Sequence, residues 1–139
     1  MNKVIAIANQ KGGVGKTTTA VNIAASLAAT KRRTLLVDLD PQGNATTATG
    51  VESLDSKTLC SHYFEKTPIN ECIQKTKDNY DVIPGSEELI ALEVSIRSDG
   101  NQAFLSKSLK DLESKYDYTI IDTPPTLNQL TIEGLLCAS

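Results

Sequence analysis

The sequence predicts an α/β fold, a mostly parallel sheet flanked by helices. Three observations predict it. Four short apolar runs, bounded by polar or turn residues, read as strands of the kind buried on both faces. Segments with helical apolar spacing fall between them. A glycine-rich loop joins the first run to the first helical segment, the strand–loop–helix order that a phosphate-binding loop requires.

Taken in order, Val4 to Ala8 is the first strand. Lys16 to about Thr30 is helical, with Ala20, Ile23, Ala24 and Leu27 at i, i+3, i+4 and i+7. Lys31, Arg32 and Arg33 close it, cations that complement the dipole at a helix C-terminus. Thr34 to Leu39 is the second strand, and Pro41-Gln42-Gly43-Asn44 is the loop after it. Residues 45–80 carry a weaker pattern: Thr46 to Thr49 is small and polar, and Leu59–Phe64 and Ile69–Ile73 read as short helices. Tyr80 to Ile83 is the third strand, stopped by Pro84-Gly85. Glu87–Ile96 and Ala103–Lys115 are helices, the latter with Leu105, Leu109 and Leu112 on one face. Tyr116 to Ile121 is the fourth strand, and Leu130–Ala138 the last helix.

Length and composition bound the function. The chain has 139 residues, one domain's worth, and 40% apolar residues, enough for a real core. Aromatics are only 4%, so the core rests on Val, Ile, Leu and Ala. A formal charge of −3 gives no electrostatic case for nucleic-acid binding by this segment. No apolar run reaches the length of a membrane span or a signal peptide. Cys60, Cys72 and Cys137 are widely spaced and form no C-x-x-C pair. They read as reduced thiols of a cytoplasmic protein, the weaker alternative being a metal site built from Cys60, Cys72 and His62.

The chemistry sits at the strand ends, where open parallel sheets bind ligands. The first strand runs into Lys11-Gly12-Gly13-Val14-Gly15-Lys16-Thr17-Thr18. The glycines let backbone N–H groups approach phosphate oxygens, and the helix N-terminus adds partial positive charge. Lys16 supplies a point charge for phosphates and the Thr17 hydroxyl suits Mg²⁺. The second strand ends in Asp38-Leu39-Asp40 and the fourth in Asp122-Thr123-Pro124-Pro125. Each motif alone is weak evidence. Together they form a site for Mg²⁺ and a triphosphate, with Asp122 holding the metal, Asp38 supporting its shell and Asp40 orienting the attacking water.

The loop departs from the strict pattern: Gln10 stands where a glycine is usual, and a second lysine, Lys11, precedes the glycines. This resembles the deviant phosphate loop (deviant Walker A) of the ParA/MinD family of ATPases. Ala8 to Lys11, Thr17 to Leu27, Leu36 to Thr46 and Tyr116 to Pro125 extend the resemblance to the ParA/Soj branch, which acts in chromosome and plasmid partitioning. The resemblance implies a P-loop NTPase fold, ATP and Mg²⁺ as cofactors, and a homodimer sandwiching ATP in which Lys11 reaches the partner subunit's phosphates. It implies a ParB-type partner protein, nonspecific DNA bound through a region missing here, a cytoplasmic and nucleoid-associated location, and no membrane. Family members run close to twice this length. The expectation is therefore one P-loop ATPase domain over 1–139, the N-terminal part of a longer family domain, truncated after the Walker B region. Two alternatives stand beside this reading: an inert nucleotide-binding or dimerisation fragment, and an amidoligase of the cobyrinic acid type.

Overall fold

The computed structural model describes residues 2–8, 14–51, 57–100 and 103–138, and for 14–18 the backbone alone. Five strands form one sheet: β1 (Lys3–Ile7), β2 (Thr34–Asp38), β3 (Gln74–Lys75), β4 (Asp81–Ile83) and β5 (Tyr118–Asp122). Their order is β1-β5-β2-β4-β3. All pairings are parallel except the short β3–β4 pair. The helices are α1 (Val14–Ala29), α2 (Asn44–Ala48), α3 (Leu59–Glu65), α4 (Glu88–Asp99), α5 (Phe104–Lys110) and α6 (Gln129–Cys137), with a 3₁₀ turn at Ile69–Cys72.

The alternation of strand side chains divides the core in two. Leu35 and Val37 of β2, Ile83 of β4 and Ile121 of β5 pack under α3–α6 with Leu59, Leu89, Leu92, Ile96, Leu105 and Leu130. Their neighbours Leu36, Val82 and Ile120 face the other way, against Ala20, Ala24 and Ala28 of α1. Central strands buried on both sides explain why β2 and β5 read as unbroken apolar runs. The small alanine face lets α1 lie close over the sheet.

Several element ends differ from the sequence reading, each for a local reason. The helix expected over Ala103–Lys115 is regular only to Lys110, because residues 111–115 tighten into turns, with Leu112 N–H donating to Leu109 O and Lys115 N–H to Leu112 O. The end of α1 is set less by charge than by a left-handed Lys31, φ 64°. Lys31 N–H donates to Ala28 O and Arg32 N–H to Leu27 O, the paired bonds of a Schellman closure. Helix α2 and strand β3 were not expected. The first is too short and polar to show a period, and the second is a two-residue antiparallel edge.

Two carboxylates each accept from the start of a helix other than their own. Glu93 of α4 accepts from Gln129 N–H at the start of α6 (3.0 Å). Glu133 of α6, only 1% exposed, accepts from Ala103 N–H and Leu105 N–H at the start of α5, each at 2.9 Å. A negative charge at a helix N-terminus satisfies orphan donors and complements the dipole.

At Gly134 the outer helix meets the β5 exit. A Cβ there would lie 2.8 Å from Thr123 Cγ2 and 3.3 Å from both Ile121 Cγ2 and Leu39 Cδ1. Thr123 cannot retreat: it is fully buried and its hydroxyl donates to Ile7 O at 2.7 Å. Gly134→Ala is therefore expected to destabilise the fold by about 1–3 kcal/mol through overpacking, although alanine is the better helix former by about 1 kcal/mol. Urea denaturation checks the sign, and a stabilised variant would mean that α6 can lift off the sheet without cost.

Candidate functional site

The register places the predicted acidic residues side by side. Ile7 of β1 pairs with Asp122 of β5, and Asp122 pairs with Asp38 of β2, so three parallel strands end on one line. Two further bonds fasten that edge: Thr123 N–H donates to Ile7 O (3.1 Å) and Leu39 N–H to Asp122 O (2.8 Å). Adjacent strands lie about 4.8 Å apart, which brings the two carboxylates to neighbouring positions. Both are fully buried. The start of α1, at Val14, directs a helix N-terminus toward the same end of the sheet, since α1 follows β1 through the glycine loop.

Of the predicted phosphate-loop residues, Lys11, Gly12 and Gly13 lie outside the described residues. Val14, Gly15, Lys16, Thr17 and Thr18 form the first turn of α1, and their side chains lie outside the described set. The acidic residues are described fully. Asp38 accepts three hydrogen bonds, from Asp40 N–H (3.0 Å), Thr46 N–H (2.9 Å) and the Thr46 hydroxyl (2.7 Å). Burial nevertheless dominates and pushes its carboxyl up to about 6, with the charge of Asp122 adding to the rise and the three bonds opposing it. Asp40 is 4% exposed, and its Oδ1 accepts from Gln42 N–H at 3.0 Å, an Asx turn that shapes the loop.

Sequence reasoning missed two residues that complete this shell. Thr46, on the short α2, spends its hydroxyl twice: the proton goes to Asp38 and a lone pair takes Gly85 N–H at 2.8 Å. Gly85, after β4, sits so close that a Cβ would lie 2.8 Å from both Asp38 Cγ and Asp38 O. Only a residue without a side chain lets that turn approach. The available signals were a threonine just past Gly43-Asn44 and a Pro-Gly pair ending a strand, far apart in sequence and joined only by the fold.

The donor set fits a hard divalent cation. It is made of carboxylate and hydroxyl oxygens, and it holds two neighbouring carboxylates whose mutual repulsion a cation would relieve. The cysteines and the histidine belong elsewhere. Burial pushes the Cys60 and Cys72 thiols up to about 11. The His62 ring nitrogens lie 2.7 Å from Thr67 O and 2.9 Å from Ser108 Oγ. Among the described residues no three His, Cys, Asp or Glu side chains gather into a metal cluster, so a cation at the strand ends would rest on the two carboxylates together with hydroxyl and ligand oxygens.

Comparison with known proteins agrees with this fold. The family model described as an AAA domain matches residues 2–139. The chain is 45% identical over 141 residues to the chromosome partitioning protein ParA of Myxococcus xanthus, covering 99% of this chain and 50% of that protein. It is 44% identical over 138 residues to the sporulation initiation inhibitor protein Soj of Bacillus subtilis, covering 97% of this chain and 54% of that one. Among solved structures it resembles the cobyrinic acid a,c-diamide synthase of Mycobacterium smegmatis with bound ATP analog and magnesium. That match has a TM-score of 0.93 and 35% identity over 99% of this chain and 57% of the other. The chain spans about half the length of the curated relatives it matches.

The buried carboxylate has a pH signature. Folding raises Asp38 from the ordinary 3.8 to about 6. This group therefore favours the folded state fully below pH 3.8, and that contribution is lost as the pH rises through about 6, a change of about 3 kcal/mol. Carboxyl-carbon NMR should show Asp38 titrating near 6. In Thr46→Val the midpoint should move higher still and stability fall by about 2–4 kcal/mol, while Thr46→Ser should keep both. A wild-type midpoint at the ordinary carboxylate value would refute the burial argument.

Proposed function

Because this chain belongs to the AAA-domain family, on its ParA/Soj-type branch, we propose that it binds Mg-ATP at the carboxyl end of the sheet and hydrolyses it as part of a protein that partitions chromosomes or plasmids. The observation that carries the reading is the alignment of buried Asp38 and Asp122 at the strand ends toward which α1 points its N-terminus. The structural likeness to the diamide synthase bears on the shared nucleotide fold. The higher identity, 45% against 35%, runs to the partitioning protein and favours that branch over an amidoligase.

The roles follow from the chemistry of each side chain. A bound magnesium ion neutralises phosphate charge and orients the transferred group. Asp122 and the Thr17 hydroxyl hold it. Asp38, whose oxygens already accept three hydrogen bonds, supports that shell and keeps Asp40 in place through the Asp40 N–H. Asp40 orients the attacking water. Backbone N–H groups from Gly12 to Thr18 cradle phosphate oxygens, and Lys16 neutralises charge within its own subunit. Lys11 does so across an ATP-bound sandwich dimer, in the manner of an arginine finger.

For the whole protein we propose a ParB-type partner that stimulates turnover, and nonspecific DNA contacts outside these 139 residues, which together would place it on the nucleoid. No described helix is long and apolar enough to cross a membrane. The second reading is a nucleotide-binding or dimerising piece without turnover, and it rests on the coverage of about half the relatives' length.

Binding and turnover of Mg-ATP by this chain, measured separately, decide between them. The expected result is binding that Lys16→Ala abolishes, with slow turnover that Asp40→Ala lowers by about 10²-fold or more at nearly unchanged affinity. Binding with no turnover would support the inert reading. Binding unaffected by Lys16→Ala would remove the site from the phosphate loop altogether.

A further inference from the structure

The amino ends of the strands carry a feature that the nucleotide reading leaves unused. Strands β2, β4 and β5 are parallel, so the residues at their starts share one rim. Arg33 precedes β2, Asp81 opens β4, and Lys115 lies shortly before β5. Lys75 on β3 is the antiparallel partner of Asp81 and so reaches the same rim. Together with Asn70 and Asn79 these side chains line a cavity of about 500 Å³. That falls within the range of about 300–1,000 Å³ usual for small-molecule sites.

The charges inside it are only partly spoken for. Arg33 is fastened to Asp117, Nη2 to Oδ1 at 3.0 Å, and one oxygen of Asp81 accepts from the Tyr116 hydroxyl at 2.6 Å. Among the described residues Lys75 and Lys115 have no acidic partner, and the side-chain amides of Asn70 and Asn79 have no hydrogen-bond partner. Tyr80, also in the wall and 2% exposed, has a hydroxyl without a partner among those residues. A net charge of −3 for the chain thus conceals a locally cationic cavity.

We propose that this cavity is a second anion site, one that takes a small phosphorylated molecule bearing free hydroxyl groups. Lys75 and Lys115 are point charges suited to a phosphate, and the two asparagine amides add neutral donors around it. The remaining lone pairs of Asp81 accept a hydroxyl of the same ligand. A bare phosphate would leave that carboxylate facing an anion, so the site prefers the hydroxyl-bearing molecule. The cavity is independent of the phosphate loop: it lies at the opposite ends of the same strands, roughly 13 Å away at the rise of a five-residue strand.

The experiment is an amide NMR titration of the Lys16→Ala chain, in which the phosphate loop is silenced, with ribose 5-phosphate, inorganic phosphate and ribose in parallel. Ribose 5-phosphate should give saturable shifts at Asn70, Asn79 and Tyr80, inorganic phosphate weaker ones, and ribose none. The exposed double variant Lys75→Ala/Lys115→Ala should weaken the response about tenfold or more, and Lys75→Arg/Lys115→Arg should largely restore it. Three outcomes overturn the proposal. One is no saturable shift at those amides. Another is a response unchanged in the alanine double variant. The third is a response to duplex DNA of arbitrary sequence with none to ribose 5-phosphate, which would make the rim a contact for a polymer instead.

Discussion

The burial of Asp38 constrains the loops around it. A carboxylate removed from water must be surrounded by donors or give up its charge. Here the donors come from a neighbouring loop residue, Asp40, and from the first turns of a separate short helix, through Thr46. Satisfying one charge therefore folds the strand exit back on itself and fixes where α2 starts. Thr46 then passes the constraint on by accepting Gly85 N–H, so the β4 exit is set by the same carboxylate. Three connections that share little sequence are held as one edge because one charge is buried among them.

That edge would be unfinished without the register of the central strands. Asp38 and Asp122 are neighbours because β2 and β5 pair in parallel from Thr34 and Tyr118 onward. A slip of one residue would send each carboxylate to the opposite face of the sheet. The register is in turn secured by residues with no chemistry of their own: Leu35, Val37 and Ile121 on one face, Leu36 and Ile120 on the other. Core packing and site geometry are here a single requirement.

This division explains what the sequence could disclose. Strands β1, β2, β4 and β5 were legible because strands covered on both faces are continuous apolar runs. Helix α1 was legible because Ala20 and Ala24 recur at its period. The acidic residues were legible as a group, since strand ends are where such residues gather. Helix α2 was not, because Asn44–Ala48 has no apolar stripe and is held through a hydrogen bond to a residue on another element. The roles of Thr46 and Gly85 depend on an encounter across 39 positions of sequence, which no local pattern encodes. Glu133 was hidden for a related reason: on a helix it reads as a solvated charge, yet it is buried as the cap of a different helix.

The borrowed cap has a consequence for how the molecule fluctuates. Helix α6 carries its own cap, Asn128 Oδ1 accepting from Leu130 and Thr131 N–H, with Glu93 of α4 adding a bond to Gln129 N–H, whereas α5 has no cap of its own and starts on Glu133 of α6. A helix with its own cap can fray and reform alone. One that depends on its neighbour's carboxylate loses its anchor when that neighbour moves, and leaves a buried charge behind. The start of α5 should therefore open to hydrogen exchange whenever α6 moves, while α1, bound to the opposite face of the sheet, opens on its own schedule.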